Sequence, residues 1–345
     1  MLNICRRLTA CIALVLGGCA QGGPEDRFDN YLSRLSNALS VTAAPPLPTD
    51  LPRLPRPAVL QLALESASLD TLDFLALSGC EVQINIGRRN SSLGRLAYPS
   101  QLLLLDLEYL RLAPACIEHL KHKGRQPLAQ TLQSAILLKQ QQLPARIFMA
   151  TLASTEFRSF WQPAPTLADY PNQTGSTVPT ALENMADNIR HWLAGDYQAD
   201  NLQFELDLGE VAKGDGGRLM QALALQSSWL ENANQLLSQR QQKAPLCTDT
   251  LRFEAADILP NIMQRFFIGD IQPWSAALSR RYHNLLPAIK TLESLLEDTL
   301  PPAYRQWQLQ RNSTIEYWYQ APVRHVHALQ DILEPCGGGL VQAKR

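Results

Sequence analysis

Residues 87–95 read Gly-Arg-Arg-Asn-Ser-Ser-Leu-Gly-Arg, which concentrates three guanidinium groups, a carboxamide and two hydroxyls between two glycines. Arg88, Arg89 and Arg95 offer planar forks that match carboxylate or phosphate, and Asn90, Ser91, Ser92 and the N–H groups of a glycine-flanked turn can add donors. No Lys-Ser/Thr pair closes the segment as in a phosphate loop, and the dinucleotide spacing of glycines is absent. The chemistry available here is anion binding. The plainer reading, favoured because arginine serves both purposes, is a solvated or internally capped loop whose arginines pair with acidic helices.

Other candidates are weaker. His119 and His122 stand three apart beside Glu118, and His325 and His327 two apart, but the metalloprotease pattern is missing and no metal site is expected. Asp215 lacks the alternating acids of a calcium loop and reads as part of a turn. Neither serine-enzyme signature occurs. Trp307, Tyr317, Trp318 and Tyr319 could line a groove, although core packing is the favoured reading. The expectation is no catalytic residue, no metal and no cofactor. Lys+Arg 31 against Asp+Glu 32 gives no field to attract nucleic acid, and that partner class is set aside.

Arg6 and Arg7 precede an apolar run, Leu8 to Gly18, of signal-peptide length and too short to span a bilayer. Its end, Leu16-Gly17-Gly18-Cys19, resembles the lipobox of bacterial lipoproteins. Leu8-Thr9-Ala10-Cys11 also satisfies that pattern, but almost no apolar stretch precedes it. The expectation is therefore removal of residues 1–18 and lipidation of Cys19. Multiple acyl chains, which the resemblance implies, anchor stably at about 0.8 kcal/mol per buried methylene. Ala20 rather than Asp after the cysteine implies an outer-membrane, periplasm-facing location, with the membrane itself as the first partner.

Cys80, Cys116, Cys247 and Cys336 remain as an even set of thiols facing an oxidising compartment. Four cysteines allow three connectivities. The expected one is local, Cys80 with Cys116 and Cys247 with Cys336, which keeps each bridge within one half of the chain.

The elements that must position these groups read as helices. The 59 leucines against 15 isoleucines and 9 valines favour helix over sheet. Phe28, Tyr31, Leu32, Leu35 and Leu39 recur on one helical face behind Pro24. Residues 44–57, with six prolines, predict an extended surface strap. A helix is expected from Ala58 to Leu77. Val82, Ile84 and Ile86 alternate with polar residues and predict a short extended segment near 82–86. Helical patterns follow, with breaks expected at Pro114 and before Pro144, and a last helix from about Ser313 to Leu333. Residues 162–179, rich in Pro, Gly, Ser and Thr, predict a connector between a helical half 19–161 and a second half 180–345 that can pack as one domain. The expected fold class is mainly α, a multi-helix bundle-like array.

The nonapeptide, the alternating segment before it and the lipobox together resemble an uncharacterised family of predicted gamma-proteobacterial lipoproteins. The resemblance spans nearly the whole mature chain and implies an envelope location; it supplies no activity or site residues. The leading expectation is a binding or scaffold role with an envelope protein partner. The alternative is an anionic-ligand receptor, or a cofactor-independent envelope enzyme, built on the Arg88–Arg95 segment.

Overall fold

Leucines at helical spacing form stripes that must be covered by other stripes. The computed structural model describes residues 23–46, 49–65, 71–172 and 174–337; the signal-like segment with Cys19 lies outside them. Among the described residues there are fifteen α-helices and no strand, only an isolated bridge between Cys247 and Arg252. No helix there is long and apolar enough to cross a membrane.

Helix α1 (Pro24–Leu39) begins with Pro24 at its first position and acids in its first turn, as its macrodipole favours. Residues 44–46 and 49–56 of the strap then form no helix or strand. Asn232 donates to Ala44 O, and Arg158 donates to Leu54 O and Pro55 O, so side chains supply the partners its backbone lacks. The single helix expected over 58–77 is not formed. Short α2 (Pro57–Leu60) and α3 (Thr71–Ala76) stand there instead. Between them the Glu65 backbone is held by the Gln142 carboxamide, which donates to Glu65 O at 3.1 Å and accepts from its N–H at 2.8 Å.

The extended segment expected at 82–86 is also corrected: it lies within α4 (Glu81–Asn90). Val82, Asn85 and Ile86 face inward at helical spacing, while Ile84 is exposed. A buried asparagine and an outward isoleucine together mimic the period of a strand. After α5 (Ser92–Arg95) come two long helices, α6 (Pro99–His122) and α7 (Gln126–Ala150), packed as a hairpin. Both run straight through the prolines expected to break them, Pro114 and Pro144. Burial of Leu110, Ala113, Ile117 and Leu120 on one side, and of Leu143, Ile147 and Phe148 on the other, offsets the lost backbone bond of about 3 kcal/mol.

Past α8 (Thr155–Phe160) the connector is not a loose linker. Leu167 and Tyr170 are buried, Trp274 donates to Tyr170 O at 2.8 Å, and Ala164 N–H donates to Gln221. It leads to α9 (Thr177–Leu193), α10 (Asn201–Ala212) and α11 (Gly216–Lys243). Then follow α12 (Ala255–Ile262), a π-helical stretch Met263–Ile271, α13 (Gln272–Leu295), α14 (Pro302–Tyr319) and α15 (Ala321–Leu333). The last helix expected over 313–333 is thus two, because Pro322 cannot donate to the preceding turn. Helix α11 is central: α1, α13, α14 and α15 pack on it, while α8 packs on α10 and α7 on α9. Helices from both sides of the connector share one apolar core.

The glycines that open α11 are there for close approach. A Cβ on Gly216 would lie 2.0 Å from the Phe160 ring, and one on Gly217 would lie 2.3 Å from the Gln162 backbone. Asp215, just before them, accepts a guanidinium fork from Arg281 and a hydroxyl from Tyr170 at 2.8 Å. Arg281 also donates to Gly175 O, so one buried pair pins both the connector and the turn to α13.

A second buried pair lies deeper. Arg311 and Glu293 are 0% and 1% exposed and meet through two parallel bonds of 2.7 and 2.8 Å. Tyr304 and Gln308 donate to the same carboxylate, and the guanidinium stacks against Trp161 and Trp307 at 4.9 and 4.6 Å. Burial holds the Tyr304 phenol neutral by pushing its pKa well above the usual value, so it remains a donor.

Both disulfides are formed, Cys80–Cys116 and Cys247–Cys336. The first fastens the start of α4 to α6; the second fastens the segment after α11 to the end of α15.

His325 on α15 is fully buried, its Nε2 2.7 Å from the Tyr31 hydroxyl of α1 and its Nδ1 2.6 Å from Asn234 Oδ1 of α11. Nδ1 therefore carries the proton given to Asn234, and Nε2 accepts from Tyr31. Burial depresses its pKa to about 3. The unfolded chain takes up a proton below about pH 6.5 that the folded chain refuses, so this group's contribution is complete above that pH and falls by about 1.4 kcal/mol per unit towards pH 3. Urea unfolding of wild type and His325→Phe between pH 7 and 4 will show the stability gap narrowing as pH falls.

Candidate functional site

The Arg88–Arg95 segment is not a loop projecting between glycines. It is the last turn of α4 joined to the single turn of α5. Ser91 caps that turn: its hydroxyl accepts from Gly94 N–H at 3.1 Å and donates to Arg88 O at 2.8 Å. A Cβ on Gly94 would lie 2.1 Å from Arg88 O, so only glycine lets the two turns meet. Arg95 donates to Asn90 O at 3.0 Å, and Ser92 is exposed at the start of α5. These contacts are the internal capping that the plainer reading describes.

The three arginines do not converge. Arg88 pairs with Glu108 of α6, and Asn85 donates to the same carboxylate at 2.7 Å. Burial of Glu108 acts to raise its pKa, but the bonds from Arg88 and Asn85 and the charges of Arg88 and Arg111 hold it below the usual carboxylate range. Arg89 turns the other way, together with Asn90, into a cavity of about 420 Å³ between α4, α6 and α7.

That cavity is the candidate site. Asp106 of α6, 6% exposed, accepts from Lys139 on one oxygen and from Arg146 Nε at 2.9 Å on the other, both cations coming from α7. Lys139 also lies 5.1 Å from the centre of the Tyr109 ring. Burial pushes the Tyr109 phenol well up, so it stays protonated. The α6–α7 hairpin sets this geometry, because Asp106 and Tyr109 face α7 across from Lys139 and Arg146, which stand about two turns apart. The Cys80–Cys116 bridge and the Asn85 bond to Leu105 O at 3.0 Å then hold α4 against α6 and bring Arg89 to the rim.

Two cations thus pair with one buried carboxylate, and a third, Arg89, lines the same cavity, as does the exposed Glu65. The described bonds use only one N–H of Arg146 and, at 3.4 Å to Gly94 O, one of Arg89. The remaining donors can hold a second anion.

Asp106, Lys139 and Arg146 are not evident as a set in the sequence. A carboxylate among leucines at 102–107, opposite two cations seven apart, is the signal that could have found them. The other candidates stay apart: His325 is in the core while His327 is exposed, and Trp307 and Trp318 are buried while Tyr317 is half exposed. Among the described residues no cluster of histidines, cysteines and acids could hold a metal.

Asp106→Ala would leave Lys139 and Arg146 without their carboxylate. Because Lys139 reaches solvent, the expected loss lies at the lower end of the about 3–5 kcal/mol for breaking a buried pair, measured by urea unfolding.

The chain belongs to the family described as protein of unknown function (DUF3080), whose model matches residues 28–339. Neither the curated proteins nor the solved structures contain a match to it.

Proposed function

We propose that this chain is a lipoprotein of the gamma-proteobacterial envelope, anchored through Cys19 to the outer membrane and facing the periplasm, that binds a small anionic ligand between α4, α6 and α7. The observation that carries the binding reading is the excess of cations in the lining, Arg89, Lys139 and Arg146 against the buried Asp106 and the exposed Glu65. Arginine forks favour a carboxylate or phosphate group there. The lipobox and the two disulfides support the envelope reading, since such bridges persist in oxidising compartments.

A second reading, docking of an envelope protein, is favoured by Leu93 and Leu96, each 84% exposed, and Tyr98 at 70% around α5. Exposed apolar side chains in one turn of chain mark such contacts. The two readings separate by site: the ligand reading needs Arg89 and Arg146, the docking reading Leu93 and Leu96.

Titration calorimetry with citrate and with inorganic phosphate tests the ligand reading. Saturable binding is expected, with Arg89→Ala weakening it about tenfold, near 1.4 kcal/mol, at unchanged thermal stability. Heats that stay flat for both anions would remove the ligand reading. Intact mass and membrane fractionation test the anchor: an acyl-sized increment and outer-membrane sedimentation are expected, both lost in Cys19→Ser, whereas an unacylated soluble wild type contradicts it.

A further inference from the structure

Helix α10 carries apolar residues on two opposite sides. Phe204, Leu208 and Val211 are buried where it packs on α8 and α9. Leu202 and Leu206, one turn apart, fall on the other side at helical spacing and are 71% and 54% exposed. Leucines paired on the outer side of a helix call for cover there as well.

A groove of about 460 Å³ runs beside them. Asn201 and Glu205 of α10 form one wall, Leu93 and Gly94 of α5 the other, and Leu104 and Leu105 of α6 the floor. The α5 wall also ends in a pair of exposed leucines, Leu93 and Leu96, three residues apart. The two ridges are thus alike in being apolar, but they are opposite in charge. Arg95 stands between the leucines of α5, bonded only to Asn90 O, and Glu205 stands between those of α10; among the described residues neither has an ionic partner.

A ridge with two leucines and a carboxylate, set across a groove from a ridge with two leucines and a guanidinium, is complementary to a second copy of itself. A two-fold axis parallel to the groove seats α10 of each copy in the groove of the other. Every contact is then made twice, which is the property of an isologous interface. We infer that this face joins two copies of the chain, with Leu202 and Leu206 of each packed against Leu93 and Leu96 of the other and Glu205 paired with Arg95 across the axis. The inference rests on the docking reading above and names its partner. The leucines form the apolar centre of the contact and the two ion pairs its rim.

Sedimentation equilibrium of the natively expressed full-length protein, in a density-matched detergent so that an anchor and its micelle add no mass, should show a reversible dimer. Leu202→Ser combined with Leu206→Ser, both at exposed positions, should weaken it by more than about tenfold. Arg95→Glu alone and Glu205→Arg alone should each weaken it about tenfold by setting like charges together, and the two combined should restore it. A monomer at every concentration, a dimer indifferent to these substitutions, or a double swap as weak as the single ones would overturn the inference. Photocrosslinking in cells from a reactive side chain at position 96 separates this outcome from failure of the docking reading. A product of twice the chain's mass is expected. A product with a different protein would overturn the inference and leave docking in place, whereas no product would remove both.

Discussion

A guanidinium with no exposed surface must find its partners inside the protein, and Arg311 finds them in three different parts of the chain. Glu293 on α13 takes the fork, Trp307 on its own helix and Trp161 after α8 cover its faces, and Tyr304 and Gln308 complete the carboxylate. Leaving either charge unpaired at that depth costs about 3–5 kcal/mol, comparable to much of a domain's net stability. The pair therefore fixes where α13, α14 and the end of α8 stand relative to one another. Arg281 and Asp215 repeat the device nearer the surface and add the connector and the start of α11.

The strap depends on this framework at one remove. Trp161 is stacked on Arg311, and Arg158 one turn earlier holds the strap. The candidate cavity is carried by the α6–α7 hairpin, where Asp106 draws Lys139 and Arg146 together, and by the disulfide that seats α4. In each case a carboxylate or carbonyl already occupies some donors of an arginine and leaves others directed elsewhere.

Where a helix buries a single stripe, the sequence makes it legible: Phe28, Tyr31, Leu32, Leu35 and Leu39 predict α1 over the range it occupies. The proline strap is equally plain, because proline forbids the alternatives. Legibility fails where polar residues take core positions. Asn85 faces inward to satisfy Leu105 O and Glu108, and with Ile84 outside, α4 carries the period of a strand. Proline is ambiguous as well: Pro114 and Pro144 sit within continuous helices whose buried faces outweigh the local cost, whereas Pro322 ends one. Of the candidate anion segment, Arg89 and Asn90 line the cavity between α4, α6 and α7, Arg88 pairs with Glu108, and Ser91 and Arg95 bond within the turn. Asp106, Lys139 and Arg146 come from separate helices, and only tertiary packing unites them.

The connector at 162–179 has the composition of a boundary, yet its buried tyrosine and its bonds to Arg281 and Trp274 make it part of the interior. The two arginine pairs, Arg311 with Glu293 and Arg281 with Asp215, unite both helical halves into one cooperative body. Native-state hydrogen exchange of Glu293→Gln against wild type tests it most directly. Opening free energies should fall together in α8, the connector, α11, α13 and α14. A loss of protection confined to α13 and α14, with the rest of the chain unchanged, would contradict it.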